Sequence, residues 1–188
     1  MKKGNIVLIG ILVVLVFALV WGISTNNSLV TLQEEVNLKA GQIQTTLQRR
    51  SDLIPNLVET VKGYAKHESE TLESVVAARG AAVSAKTPEA KAAAEGTLNN
   101  ALSRLMVISE SYPELKANAN FVDLQKQLQQ MESEIANSRK YYNGVVKTYN
   151  IKCQSIPSNL VASMAHFTVK PLFEITNEVE RANVKVQF

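Results

Sequence analysis

Residues 6–23 form an unbroken apolar run, in which 14 positions are Leu, Ile, Val or Phe and the others are Gly10, Ala18, Trp21 and Gly22. As a helix the run is about 27 Å long, close to the hydrocarbon thickness of a bilayer. Its aliphatic content favours insertion by roughly −4 to −8 kcal/mol. Beyond it the pattern changes to an amphipathic helical one. Leu29, Leu32, Val36, Ile43 and Leu47 recur at spacings of three, four and seven, and the phase continues through Ile54, Val58, Val61, Ala65, Leu72 and Val76. That stripe predicts one long first helix. Pro55 lies inside it, where it removes one ladder hydrogen bond and crowds the carbonyl of Ser51. Two outcomes are open: a kinked continuous helix, which the unbroken phase favours, or a break with Ser51 or Asp52 as a new N-cap.

Thr87-Pro88-Glu89 reads as the start of a second helix, with Leu98, Leu102, Leu105 and Ile108 facing inward and an end before Pro113. Asn120 and Asp123 suit the start of a third. Its stripe is Phe121, Leu124, Leu128, Met131, Ile135, Tyr142, Val145 and Tyr149, and Pro157 ends it. Residues 158–167 predict a short fourth helix. Another helical piece reaches Arg181, and Val184, Val186 and Phe188 alternate as an extended tail. No strand-rich region occurs. The expected fold is all-α: an N-terminal transmembrane helix, then an antiparallel helical bundle with a long kinked first helix. The expected divisions are a short cytoplasmic N-terminus at 1–5, an anchor at 6–23 and a bundle domain with its tail at 24–188.

Charge sets the direction of the span. Lys2 and Lys3 precede it, Trp21 stands at its far interface, and residues 24–38 hold no Lys or Arg. The positive-inside rule predicts a single-pass protein of the inner membrane, N-terminus in and bundle extracytoplasmic. A cleaved signal peptide is the competing reading, with Gly22 and Ser24 as small residues before a cut. The run exceeds the usual h-region, however, and no clear A-x-A follows.

Composition excludes several functions. Apart from Lys2 and Lys3, 18 basic residues face 17 acidic ones, so no electrostatic footprint for nucleic acid exists. Cys153 is alone, which excludes an intramolecular disulfide. No phosphate-cradling glycine loop, nucleophile–base pair or cofactor motif is present. The two histidines, His67 and His166, follow Tyr64 and Ser163 at three residues, so neither makes the Glu-x-x-His turn of a di-metal bundle. The expectation is no metal, no cofactor and no enzyme activity.

The charged residues on or beside the apolar seams are Arg50, Glu68, Arg79, Glu110 and Arg139. A structural polar network fixing helix register is the expected role, and a polar ligand or ion site inside the bundle is the alternative. Tyr142-Asn143 and Tyr149-Asn150, seven apart, put both tyrosines on one side. Core packing with bonded hydroxyls is the plain expectation, and a partner-binding ridge the other. The stripe of Leu29, Leu32, Val36, Ile43 and Leu47 lies before the point that a third helix of about 48 Å can cover, against about 75 Å from Leu29 to Arg79. Some of that stripe is therefore expected to be bare, wrapped by the C-terminal tail or covered by another chain; its heptad-like spacing favours self-association, and Ala18 and Gly22 add a small-xxx-small pair in the anchor.

Several phrases are more specific than amphipathicity requires: Arg49-Arg50, then Asp52-Leu53-Ile54-Pro55-Asn56-Leu57-Val58, Val61-Lys62-Gly63-Tyr64, His67-Glu68 and Ala78-Arg79. Glu110, Tyr112-Pro113, Leu115-Lys116-Ala117-Asn118 and Phe121 follow, then Arg139, the two Tyr-Asn pairs and Pro157-Ser158-Asn159-Leu160. In this order they closely resemble the LemA family, over residues 26–188. The resemblance implies an N-terminally anchored helical bundle of the bacterial envelope, and a branch of the family that takes part in building magnetosome membranes implies membrane organisation. Two positions depart from the family: Gly41 replaces its usual Trp, and Ile156 a frequent aromatic. The combined expectation is a non-enzymatic membrane-anchored scaffold or adaptor, acting as a homo-oligomer or on other envelope proteins. A ligand-binding or regulatory module is the alternative.

Overall fold

A computed structural model describes residues 3–173. Six helices follow in order: α1 Lys3–Lys62, α2 Ser69–Ser84, α3 Pro88–Ser109, α4 Pro113–Ala117, α5 Ala119–Gln154 and α6 Ser158–Met164. No strand occurs among the described residues. The expected helical piece near Arg181 and the extended tail at Val184, Val186 and Phe188 lie outside them.

α1 runs through Pro55 without interruption, so no new helix starts at Ser51 or Asp52. It does not reach Val76. Val61 O accepts from both Tyr64 N (3.0 Å) and Ala65 N (2.8 Å), which closes the helix in a tight turn. The chain re-enters a helix at Ser69. The stripe hid this turn because Val61, Ala65, Leu72 and Val75 are all buried, so the apolar phase passes through residues 63–68 unbroken. The start of α3 is as expected: the Thr87 hydroxyl accepts from Ala90 N at 3.1 Å. The start of α5 is not. The Asn118 side chain, rather than Asn120, caps it by accepting from Phe121 N at 3.0 Å.

Two compact units are distinguished. The first comprises the chain up to Gly41 with Lys140–Leu172. Its buried residues are Thr25, Leu29 and Val36 of α1, Tyr142, Val146, Tyr149 and Cys153 of α5, and Ala162 of α6. The segment after α6 is strapped to α5. Tyr142 and Tyr149 donate to the carbonyls of Pro171 and Thr168, each at 3.1 Å. Asn150 takes both backbone groups of Lys170, donating to its carbonyl at 2.8 Å and accepting from its N–H at 2.9 Å. The two tyrosines therefore work as core residues with bonded hydroxyls.

Burial, then the hydrogen bond and charge of Cys153, push the Tyr149 phenol up to about 12. A tyrosine raised on folding contributes stability that is whole below its unfolded value of about 10 and is lost as pH rises through the folded value. Wild type should lose roughly 1.4 kcal/mol more per pH unit than Tyr149→Phe across that window. Urea unfolding at stepped alkaline pH measures this, and parallel losses in the two proteins contradict it.

The second unit is Gln42–Arg139, with Phe173 its last described residue. Ile54, Leu57 and Val61 of α1, Leu72 and Val75 of α2, Leu98 and Leu105 of α3, Leu115 of α4, and Phe121 and Leu124 of α5 form one core. α2 packs on α3.

Of the outcomes open for the anchor-proximal stripe, a bare ridge is not the one found. Leu29, Val36, Ile43 and Leu47 are buried in this single chain and Leu32 is half-buried. The comparison of lengths failed because the first helix ends at Lys62 rather than Arg79. From Leu29 to Lys62 is about 50 Å, which α5 matches at about 54 Å. Cysteines placed at Leu29 or Ile43 should therefore resist maleimide in native membranes and react only after denaturation. Rapid labelling in the native state, or disulfide-linked oligomers through either site, contradicts the fold.

Candidate functional site

Pro55 has no N–H, so the carbonyl of Ser51, four residues earlier, has no donor within α1. Arg79 of α2 supplies one: its Nε donates to Ser51 O at 2.8 Å. The proline and the arginine thus form one device, in which α2 is pinned to the gap that Pro55 opens.

One residue before Ser51, Arg50 is 2 % exposed. Its Nη1 donates to Asn99 Oδ1 at 2.7 Å and to Glu132 Oε2 at 2.5 Å, and its Nη2 pairs with Glu95 Oε2. Glu95 and Asn99 are one turn apart on α3, and Glu132 is on α5, so one guanidinium ties three helices. Asn99 Nδ2 also donates to Glu132 Oε1 at 3.5 Å. Glu95 is buried, whereas the Glu132 side chain is 48 % exposed.

Burial holds the Arg50 guanidinium below its ordinary value, against the charge and hydrogen bond of Glu132, and nearby Arg139 adds to the lowering. Burial likewise lowers Arg139, whose own opposing charge is Glu132. Arginine stays protonated in proteins. Two cations, Arg50 and Arg139, therefore face two anions, Glu95 and Glu132. The formal charges balance, while the buried Nε atoms of Arg50 and Arg139 have no hydrogen-bond partner among the described residues. Arg139 also lies over the Phe173 ring, 5.8 Å from its centroid.

The structure does not gather the five expected residues into one network. Arg50 and Arg139 share the centre through Glu132. Arg79 serves Ser51. Glu68 accepts from Tyr112 Oη at 3.0 Å, next to the turn where Asn118 donates to Tyr64 Oη at 2.9 Å. Glu110 is exposed and pairs with Lys116. Sequence reasoning passed over Glu95, Asn99 and Glu132. A signal was present: Glu95 stands three before Leu98 on the α3 seam, and Glu132 four after Leu128 and three before Ile135 on the α5 seam, so both carboxylates occupy core-phase positions.

Glu132 and Asn99 line an open groove of about 410 Å³ between α3 and α5, floored by Leu102, Met106 and Leu128. Among the described residues, no group of three or more His, Cys, Asp and Glu is placed to hold a metal ion. Cys153 is buried, and His67 and His166 are exposed.

These features define a class: an all-helical bundle, held by a buried ion-pair centre, on a helix long and apolar enough at its N-terminal end to cross a membrane. A sequence model of the LemA family matches residues 39–188, and the chain belongs to that family. It is also similar to Magnetosome protein MamQ 2 of Paramagnetospirillum magneticum, 28 % identical over 174 residues that cover 79 % of this chain and 64 % of the relative. With Magnetosome protein MamQ of Magnetospirillum gryphiswaldense it shares 28 % over 167 residues, 75 % of this chain and 61 % of the relative. Protein LemA of Metamycoplasma hominis is 23 % identical over 184 residues, covering 97 % of this chain and 83 % of that protein. The chain thus spans less than two thirds of the length of these magnetosome proteins.

Proposed function

We propose that this protein is a non-enzymatic, membrane-tethered scaffold or adaptor of the bacterial envelope, anchored by residues 6–23 with its N-terminus in the cytoplasm and residues 24–188 outside. One observation carries the reading: the exposed apolar residues 7–20 and the buried ridge that begins at Thr25 belong to a single uninterrupted helix. No flexible linker separates span from bundle, so a bundle on this helix is held at a set height over the bilayer. The magnetosome proteins among its relatives suit a role in organising a membrane compartment. The pairing of Arg50 with Glu95 and Glu132 across three helices supports a structural use of the interior over a ligand-binding one.

Self-association is part of the proposal, but not through Leu29, Val36, Ile43 or Leu47, which this chain covers itself. Photo-cross-linkers at exposed positions such as Val107 and Tyr141, activated in intact membranes, test the adaptor reading. Adducts with a second copy or with one recurrent membrane protein are expected. A chain that forms no protein adduct from any exposed face contradicts it.

A further inference from the structure

Residues 153–169 contain no Asp, Glu, Lys or Arg, the longest uncharged stretch outside the N-terminal region, and Lys152 and Lys170 bound it. It holds the end of α5, the turn that follows and α6. Ile156 is 85 % exposed, Leu160 63 % and Met164 83 %, and two of these exceed every described side chain of the apolar span. They recur every four residues, with Leu160 and Met164 on one face of α6. Leu160 and Met164, one turn apart on α6 and just after Ile156 in the chain, put three large apolar side chains on one short, charge-free segment.

The place of this corner along α1 says what it touches. Within the first unit, Lys152 Nζ donates to Ser28 Oγ. Ser28 stands five residues beyond Ile23, about 7.5 Å along the helix. A headgroup layer is about that deep, being half the difference between roughly 30 Å of hydrocarbon and 45 Å of whole bilayer. Lys152 meets Ser28 and Glu132 meets Arg50, so α5 runs antiparallel to α1 and the chain beyond Lys152 continues toward the span. Coverage of α1 accordingly starts inside the apolar run: residues 7–20 are exposed, Trp21 and Gly22 are half-buried, and Thr25 is buried. Beside Lys152, a groove of about 700 Å³ presents the hydroxyls of Ser28, Thr31, Thr148, Ser155 and Ser158. The hydroxyls of Thr31, Thr148 and Ser158 donate to backbone carbonyls, so the Lys152 ammonium, with Ser28 and Ser155 beside it, is the group that suits phosphodiester oxygens.

We propose that the α5–α6 corner is a second membrane contact. It seats on the bilayer beside the anchor, with Ile156, Leu160 and Met164 in the interface, the hydroxyl groove among the headgroups, and Lys152 and Lys170 reaching the phosphate layer. This rests on the anchor reading above. It makes the attachment two-point, so the bundle cannot swivel freely about the helix axis.

The test uses the full chain in phosphatidylcholine–phosphatidylglycerol vesicles. In a Cys153→Ser background, single cysteines at 156, 160 and 164 carry an environment-sensitive fluorophore. Val14→Cys in the span and Val107→Cys on α3, itself 71 % exposed, are the controls. Probes at 156, 160 and 164 should be quenched by shallow lipid nitroxides and protected from aqueous iodide at least fivefold relative to the probe at 107. If they are as open to iodide as the probe at 107, while the probe at 14 is quenched by lipid, the anchor stands and the second contact is overturned. Protection from iodide without lipid quenching means that protein covers the corner, which also overturns it. Absence of lipid quenching at 14 removes the anchor reading and this proposal together.

Discussion

Arg50→Met should destabilise the bundle by about 3–5 kcal/mol, the usual cost of removing one partner from a buried ion pair. The loss arises less from the missing bonds than from what is left behind. Glu95 remains in α3 with its side chain only 8 % exposed, and an unpaired buried carboxylate must either stay charged at great cost or take up a proton. Glu132, half exposed, can rehydrate and should matter less, so Glu132→Gln is expected to cost about 1 kcal/mol. The double variant Arg50→Met/Glu95→Leu should recover most of the loss, because an apolar pair of similar volume often replaces a buried salt bridge without penalty. Denaturant unfolding of the four proteins measures this. A ligand site would behave differently: Arg50→Met would keep its stability and lose only function.

Arg79→Met should cost about 1–3 kcal/mol by leaving the Ser51 carbonyl without a donor. The diagnostic is its dependence on Pro55. In a Pro55→Ala chain, residue 55 regains an N–H that can reach Ser51 O within α1, so the same arginine substitution should cost about 1 kcal/mol less. A double-mutant cycle reads that coupling directly. If the arginine substitution costs the same in both backgrounds, Arg79 acts through some other contact and the proline gap is filled without it.

Much of this architecture was legible as periodicity. The apolar run, the Thr87 cap, the course of α5 to Gln154 and the bonded tyrosines all follow from spacing and local chemistry. The turn at residues 63–68 was not, because a seam that holds its phase through a turn looks the same as one helix. That single error made the first helix too long, and the bare stripe at Leu29 to Leu47 followed from it. The ion-pair centre was half legible. Arg50 and Arg139 stood out as cations on apolar seams, but periodicity along one helix does not tell which carboxylates of two other helices meet them. In the sequence, Arg79 near the seam and the missing N–H of Pro55 are two unconnected facts. Only the packing of α2 against α1 joins the two facts.

The central claim is that one helix serves as both anchor and first helix of the bundle, and the intact mass of the protein extracted from native membranes tests it most directly. The account predicts a membrane fraction resistant to alkaline carbonate whose mass retains residues 6–23. A soluble protein beginning near Thr25 would contradict it.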